Sequence, residues 1–245
     1  MIEQNYTNKN VLLTGAASGI GFSQLKTYLS QGATVYALDK EKITYAHEHL
    51  HTYQIDIRQH KKLEMLVEHI TSDVSIDILL NTAGILDDYQ PSLTIDLETW
   101  QRVMDTNLTP MFILSNAVLP KMIASGYGHI INMASIAGFT AGWGVAAYTT
   151  SKHAIIGYTK QLAFDYASKG LHINAIAPGA IKTPMNAKDF AGDASMAQQV
   201  ANQTPAKRWA APQEVADLTM FLTSPQADYI NGTVVPIDGG WTLGH

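Results

Sequence analysis

The sequence predicts an α/β fold: a doubly wound parallel sheet of seven strands with helices on both faces. Three observations carry this. Short apolar runs alternate with longer helical patterns, which argues for strands buried on both faces and joined by helical crossovers. A glycine-rich turn follows the first apolar run. The 245 residues, 46% hydrophobic and 15% charged, suit a single α/β domain with a sizeable core. No repeat, low-complexity tract or linker interrupts the chain, so residues 1–245 read as one domain.

The expected strands are Asn10–Thr14, Ala33–Asp39, Tyr53–Ile55, Ile76–Asn81, His129–Ala134, His172–Ala177 and Thr233–Ile237. Each is short and rich in Val, Ile, Leu or Tyr. The expected helices are Gly19–Gln31, Lys61–Thr71, Leu97–Leu108, Met111–Ser125, Thr149–Lys169 and Pro212–Thr223. Pro212 suits a first helical turn, where its missing N–H costs nothing. Only about a dozen residues, Lys40 to Thr52, separate the second and third strands, so any helix there must be short.

The formal net charge is −5 with no basic stripe, which speaks against a nucleic-acid partner. With no cysteine, disulfides, thiolate nucleophiles and zinc–thiolate sites are excluded. His47, His49 and His51 alternate, but only Glu48 accompanies them, so we expect a solvated surface and no metal site. Met1 to Asn10 is polar, and we expect neither a signal peptide nor a membrane span. The expectation is a cytoplasmic protein.

Thr14-Gly15-Ala16-Ala17-Ser18-Gly19-Ile20-Gly21 ends the first strand and opens a helix. Glycine lets the backbone approach a phosphate without a Cβ in the way. The helix N-terminus adds orphan N–H groups and the positive end of its dipole, and Ser18 can add a hydroxyl. Asp39 ends the second strand, eighteen residues after Gly21. A carboxylate there can accept from both ribose hydroxyls of a dinucleotide and repels the extra phosphate of NADP. We therefore expect NAD, although the adjacent Lys40 could tolerate a phosphate.

Tyr148 and Lys152 lie four apart on one helical face, and Ser135 ends the fifth strand thirteen residues before Tyr148. Interconverting a ketone and an alcohol needs a group that gives or takes a proton at the reacting oxygen. Tyrosine, with a free pKa of about 10, is a poor base at neutral pH, and a nearby ammonium favours its phenolate. Serine can hold the substrate oxygen.

Over essentially its whole length the chain resembles the short-chain dehydrogenase/reductases, single Rossmann-type domains. The resemblance rests on Thr14–Gly21, Asp56-Ile57, Asn81-Thr82-Ala83-Gly84, Asn107, Ser135, Tyr148-Thr149-Thr150-Ser151-Lys152, Asn174, Pro178-Gly179 and Asp238-Gly239-Gly240. It implies Tyr148 as general acid/base, Ser135 positioning the substrate, and Lys152 both lowering the tyrosine pKa and binding the nicotinamide ribose. It implies that Asn107 holds a proton-relay water. By the same resemblance Asp56 and Ile57 meet the adenine, Asn81, Ala83 and Gly84 line the adenosine side, and Pro178, Gly179, Ile181 and Thr183 flank the nicotinamide. Gly15, Ser18, Gly19, Ile20, Gly21 and Asp39 complete the expected cofactor site. Thr82 departs from the family's usual asparagine, and the short Lys40–Thr52 crossover stands to alter the adenine wall.

For the substrate, a small molecule, we expect Ser135, Ile136, Trp143, Tyr148 and Met185, with Phe139 and Phe190 nearby, to make a mostly apolar pocket. The alternative is a 3-oxoacyl-acyl-carrier-protein reductase, which must dock an acidic carrier on a basic patch; the corresponding stretch, Ala124–His129, has no Lys or Arg. A more remote alternative is a dinucleotide-binding sensor without turnover. Ala154, Ile155, Tyr158, Leu162, Ala163, Phe164 and Tyr166 make the Tyr148 helix apolar nearly all round. We therefore expect a homotetramer, or a dimer, with helices packed across two-fold axes.

Overall fold

Seven parallel strands form the sheet that the alternating pattern predicts, in the order β3-β2-β1-β4-β5-β6-β7. The structure, a computed structural model, describes residues 4–87, 89–142 and 145–244. The strands are β1 Asn10–Thr14, β2 Thr34–Asp39, β3 Leu50–Gln54, β4 Ile78–Asn81, β5 Gly128–Met133, β6 Leu171–Pro178 and β7 Val234–Ile237. The helices are α1 Gly19–Ser30, α2 His60–Asp73, α3 Leu97–Asn107, α4 Thr109–Ser125, α5 Ala146–Tyr166, α6 Ser195–Gln203 and α7 Pro212–Leu222. The chain runs outward from β1 through β2 to β3, then returns to β4 on the other side of β1. The crevice beyond the carboxyl ends of β1 and β4 is therefore the switch point where such sheets bind ligands.

Both faces of the sheet are covered. On one, α1 and α7 pack over Val11, Leu13, Val35, Ile78 and Leu80. A buried polar seam joins these two helices: Gln24 donates to Thr219 Oγ1 at 2.9 Å, and Tyr28 pairs with Thr223 at 2.6 Å. On the other face, α2 and α4 pack over Leu12, Leu38, Leu79 and Ile130. The run from α3 through α4, Leu97–Ser125, is long and apolar enough to cross a membrane, yet 44% of its most apolar window is buried inside the protein. Ile113, Leu114, Val118, Leu119 and Met122 are among the buried residues, packed in the core against the sheet. Asp96 caps α3 by accepting the Thr99 N–H at 2.7 Å.

Several expectations change; α6 was not foreseen, and β4 begins two residues later than expected. The third strand is Leu50–Gln54, beginning three residues before the expected Tyr53–Ile55, because its backbone pairs Val35–Asp39 residue for residue. As the sheet's edge it leaves Leu50 and Tyr53 half-buried and the rest exposed, so hydrophobicity marks it poorly. The crossover from Lys40 to His49 holds no helix. The helix expected from Thr149 starts three residues earlier, at Ala146, so Tyr148 sits in its first turn.

Candidate active site

Three glycines shape the loop after β1. Gly15 and Gly19 have φ of +76° and +54°, which L side chains rarely adopt. A Cβ on Gly21 would stand 2.1 Å from the Gly15 carbonyl oxygen. A Cβ on Gly15 would stand 2.9 Å from Ala83 Cα, so this loop lies directly against the one after β4. Thr14 joins the two loops: its hydroxyl accepts the N–H groups of Thr82 and Ala83 at 3.1 and 3.2 Å. Ser18 is the N-cap of α1, but its side chain makes no capping bond. Its hydroxyl and the α1 N-terminus face a cleft of about 1080 Å³. That volume is at the upper end for ligand pockets and suits a long molecule together with a smaller one.

At one end of the cleft, Asp39 accepts the Ala17 N–H through Oδ2 and the Glu41 N–H through Oδ1, both at 2.9 Å. It thus anchors the glycine loop as well as lining the cleft, and each oxygen keeps a lone pair for a ligand. Asp56 is gripped by Arg58, whose Nε lies 3.0 and 3.1 Å from its two oxygens. That guanidinium holds the Asp56 carboxyl below the usual carboxylate range. Ile57, Lys40 and Arg58 also line this end.

The middle is lined by Ile20, Ala83, Gly84, Pro178, Gly179, Ile181 and Thr183. Asn81 does not line it. Its amide turns into the sheet and donates to Asn132 Oδ1 at 2.9 Å, and Asn132 in turn donates to Thr159 at 3.0 Å. Its side chain is a buried prop beneath the site.

Ser135, Tyr148 and Lys152 converge at the far end. Ser135 follows β5; its hydroxyl accepts the Ala137 N–H at 3.1 Å and lies close enough to the Tyr148 phenol to favour its charged form. Lys152, one helical turn beyond Tyr148, places Nζ 5.4 Å from the centroid of the tyrosine ring and donates to the Met133 carbonyl at 2.7 Å. Burial pushes the phenol up and pulls the lysine down to about 7, opposing charge on both. Burial thus outweighs the lowering influence of Ser135, and the phenol lies above its ordinary value rather than below it as the resemblance implies. Asn107 is almost fully buried behind the cleft. It accepts the Ile85 N–H at 2.8 Å and donates to the Ile85 carbonyl and to Ser151 at 3.0 and 3.1 Å. Its Oδ1 and Lys152 Nζ flank Gly84, where a Cβ would stand 3.4 and 3.6 Å from them.

Ile136 and Met185 line the substrate end as expected, while Trp143 lies outside the described residues. Sequence reasoning missed Tyr89, Met196, Val200 and Trp209, which complete this wall. Met185, Met196, Val200 and Trp209 all come from the excursion between β6 and α7, whose base is pinned by the Ile181–Ala210 bridge. The Ala124–His129 stretch lies at the amino end of β5, across the sheet from the cleft, so its lack of Lys and Arg says nothing about the entrance. Among the described residues no cluster could hold a metal.

The chain is similar to known proteins over nearly its whole length. A family model described as enoyl-(acyl carrier protein) reductase matches residues 15–242. The 2-dehydro-3-deoxy-D-gluconate 5-dehydrogenase of Bacillus subtilis is 33% identical over 241 residues, covering 95% of this chain and 94% of the relative. A chain from Beutenbergia cavernae solved with bound NADP superposes with a TM-score of 0.93 at 32% identity, covering 98% and 99% of the two chains. A 4-hydroxyisoleucine dehydrogenase complexed with NADH gives 0.92 at 34% identity, covering 97% and 100%. The glycine cradle, the acidic end of the cleft and the serine–tyrosine–lysine end fit a nicotinamide dinucleotide beside a small substrate. The protein belongs to the short-chain dehydrogenase/reductase family and is an oxidoreductase of CH–OH groups that uses a nicotinamide dinucleotide.

Proposed function

We propose that this enzyme prefers NAD(H) and interconverts a secondary alcohol with apolar substituents and the corresponding ketone, with Tyr148 as general acid/base. The observation that carries the reading is the convergence of Ser135, Tyr148 and Lys152 at one end of the dinucleotide-sized cleft. The dinucleotide, when bound, supplies or accepts the hydride. Ser135 holds the substrate oxygen. Tyr148 gives that oxygen a proton in reduction and removes it in oxidation. Lys152 holds the nicotinamide ribose and stabilises the phenolate, and Asn107 keeps the lysine's surroundings fixed through Ile85 and Ser151. At the other end Asp39, its carboxylate already directed by two backbone amides, accepts from the ribose hydroxyls, and Asp56 with Ile57 meets the adenine. Ile136, Met185, Met196, Val200 and Trp209 exclude water from the substrate.

The natural test is a screen of the purified protein for NAD-linked absorbance change over secondary alcohols, sugar acids and β-hydroxyacyl thioesters, each repeated with NADP. Turnover of apolar secondary alcohols supports the reading. Exclusive turnover of thioesters would replace it with the carrier-protein reductase alternative, and none with any substrate would favour the sensor. We further propose a homotetramer, supported by Phe112 on α4 and Phe164 on α5, which are 55% and 86% exposed.

A further inference from the structure

Asp87, in the loop between β4 and α3, is fully buried at 0% exposure. Its Oδ2 accepts the backbone N–H of Tyr148 at 3.0 Å, across 61 residues of sequence. Its Oδ1 has no hydrogen-bond partner among the described residues. Helix α5 needs this help, since its N-cap residue, Val145, makes no side-chain cap. The first-turn amides of a helix have no partners within it and favour negative charge, so the Asp87 carboxylate serves α5 from outside.

The same loop holds α5 a second time. Ile85 exchanges two hydrogen bonds with Asn107, whose amide also reaches Ser151. Residues 85–87 thus fix the helix at Tyr148 directly and at Ser151 through Asn107, with Lys152 next in line. A neutral acceptor, such as a buried asparagine or serine, would also satisfy the amide. A carboxylate with one idle buried oxygen is the more expensive choice and brings charge with it.

We infer that Asp87 is a positioning residue of the catalytic centre: it fixes the start of α5 through the Tyr148 amide and brings its carboxyl within electrostatic reach of the Tyr148 phenol. The inference rests on the reading of Tyr148 as acid/base. The titratable and polar groups that bear on the phenol are Lys152 from α5, Ser135 after β5, and Tyr89 and Asp87 from the β4 loop, while Asp189 bears on Tyr89. Asp87 and Tyr89 act on the phenol in the same direction as burial, keeping its proton on. Tyr148 thus remains a proton donor to a higher pH than an ordinary tyrosine and becomes a base only above it.

The test is a pH titration of the full chain carrying 13Cζ-labelled tyrosine, read by NMR without substrate or cofactor. The Tyr148 signal is assigned by its loss in Tyr148→Phe. Asp87→Asn keeps an acceptor for the amide and removes the charge. We expect it to move the Tyr148 midpoint down by about half a unit or more, with thermal stability close to wild type. Asp87→Ala is expected to show the same shift with a lower Tm. Asp87→Ser, a smaller neutral acceptor, takes the place of Asp87→Asn should that variant not fold. An unmoved Tyr148 midpoint in the neutral-acceptor variant overturns the inference. A Tyr148→Phe protein that still turns over substrate at near wild-type rate overturns the acid/base reading instead, whatever Asp87→Asn does to the titration.

Discussion

Lys152 Nζ lies 5.4 Å from the centroid of the Tyr148 ring, one helical turn along α5, while its hydrogen bond is directed away, to the Met133 carbonyl. The two groups are near enough to share a charge, and burial disfavours charge on each. Proton traffic at this pair is therefore set by what binds beside it.

Tyr148→Phe removes one hydroxyl from a half-buried position and should fold and bind NADH as wild type does. Its kcat should fall by about 10²-fold or more, the lower range for a general acid/base. In wild type the alcohol-oxidation rate should rise with pH, because the phenolate is the working form. The residual rate of the variant should lack that rise. Steady-state kcat and kcat/KM profiles for both proteins, with NADH affinity taken separately, decide the matter.

Lys152→Met should separate stability from activity. The folded-state pKa of Lys152 is depressed to about 7 from an ordinary 10.5. Between those values the unfolded chain binds more protons than the folded one, so this group's contribution makes stability rise with pH and fall as pH drops. Below about 7 the penalty is complete. The variant's stability relative to wild type should thus grow as pH falls from about 10 to 7, while its turnover and cofactor affinity drop. Paired thermal melts across that range provide the check, and a Tm difference independent of pH would contradict it.

Asp39→Ala should relax the preference for NAD(H). A phosphate close to this carboxylate is repelled by on the order of 1–4 kcal/mol, depending on local screening. The ratio of kcat/KM for NADH to that for NADPH should fall by at least about tenfold. Because Asp39 also receives the Ala17 and Glu41 amides, affinity for both cofactors should weaken, and so the ratio is the quantity to measure. A wild-type enzyme that prefers NADPH would reject the assignment outright.

Phe164→Glu places a charge on the most exposed aromatic of α5. If α4 and α5 meet their copies across a two-fold axis, light scattering should show the wild type as a tetramer and the variant as a smaller species. A monomeric wild type at micromolar concentration would end the oligomer proposal.

The parts of this protein legible in its sequence are those whose requirement is local. Gly15, Gly19 and Gly21 answer a steric demand within one turn, and Tyr148 and Lys152 answer a helical spacing. The place of the Asn81 side chain was not legible: its neighbours Ala83 and Gly84 line the cleft, whereas it meets Asn132, a partner set by strand register. Asp87 gave no signal, since its meaning is a contact with an amide 61 residues on. Leu50–Gln54 was misplaced because an edge strand has little apolar surface to show. Met196, Val200 and Trp209 became site residues only once the path of the chain after β6 was known.

The excursion between β6 and α7 supplies much of the substrate wall yet adds no strand to the sheet, and its two ends are clasped together by the Ile181–Ala210 bridge. A segment closed at its base can change in length and composition without disturbing what lies on either side of it. Most of the cofactor half and the proton-transfer residues belong to the sheet and its flanking helices, whereas Met185, Met196, Val200 and Trp209, a large share of the substrate wall, belong to this one segment. Descent from a common frame can thus scatter into many substrate preferences through changes confined to one stretch of chain.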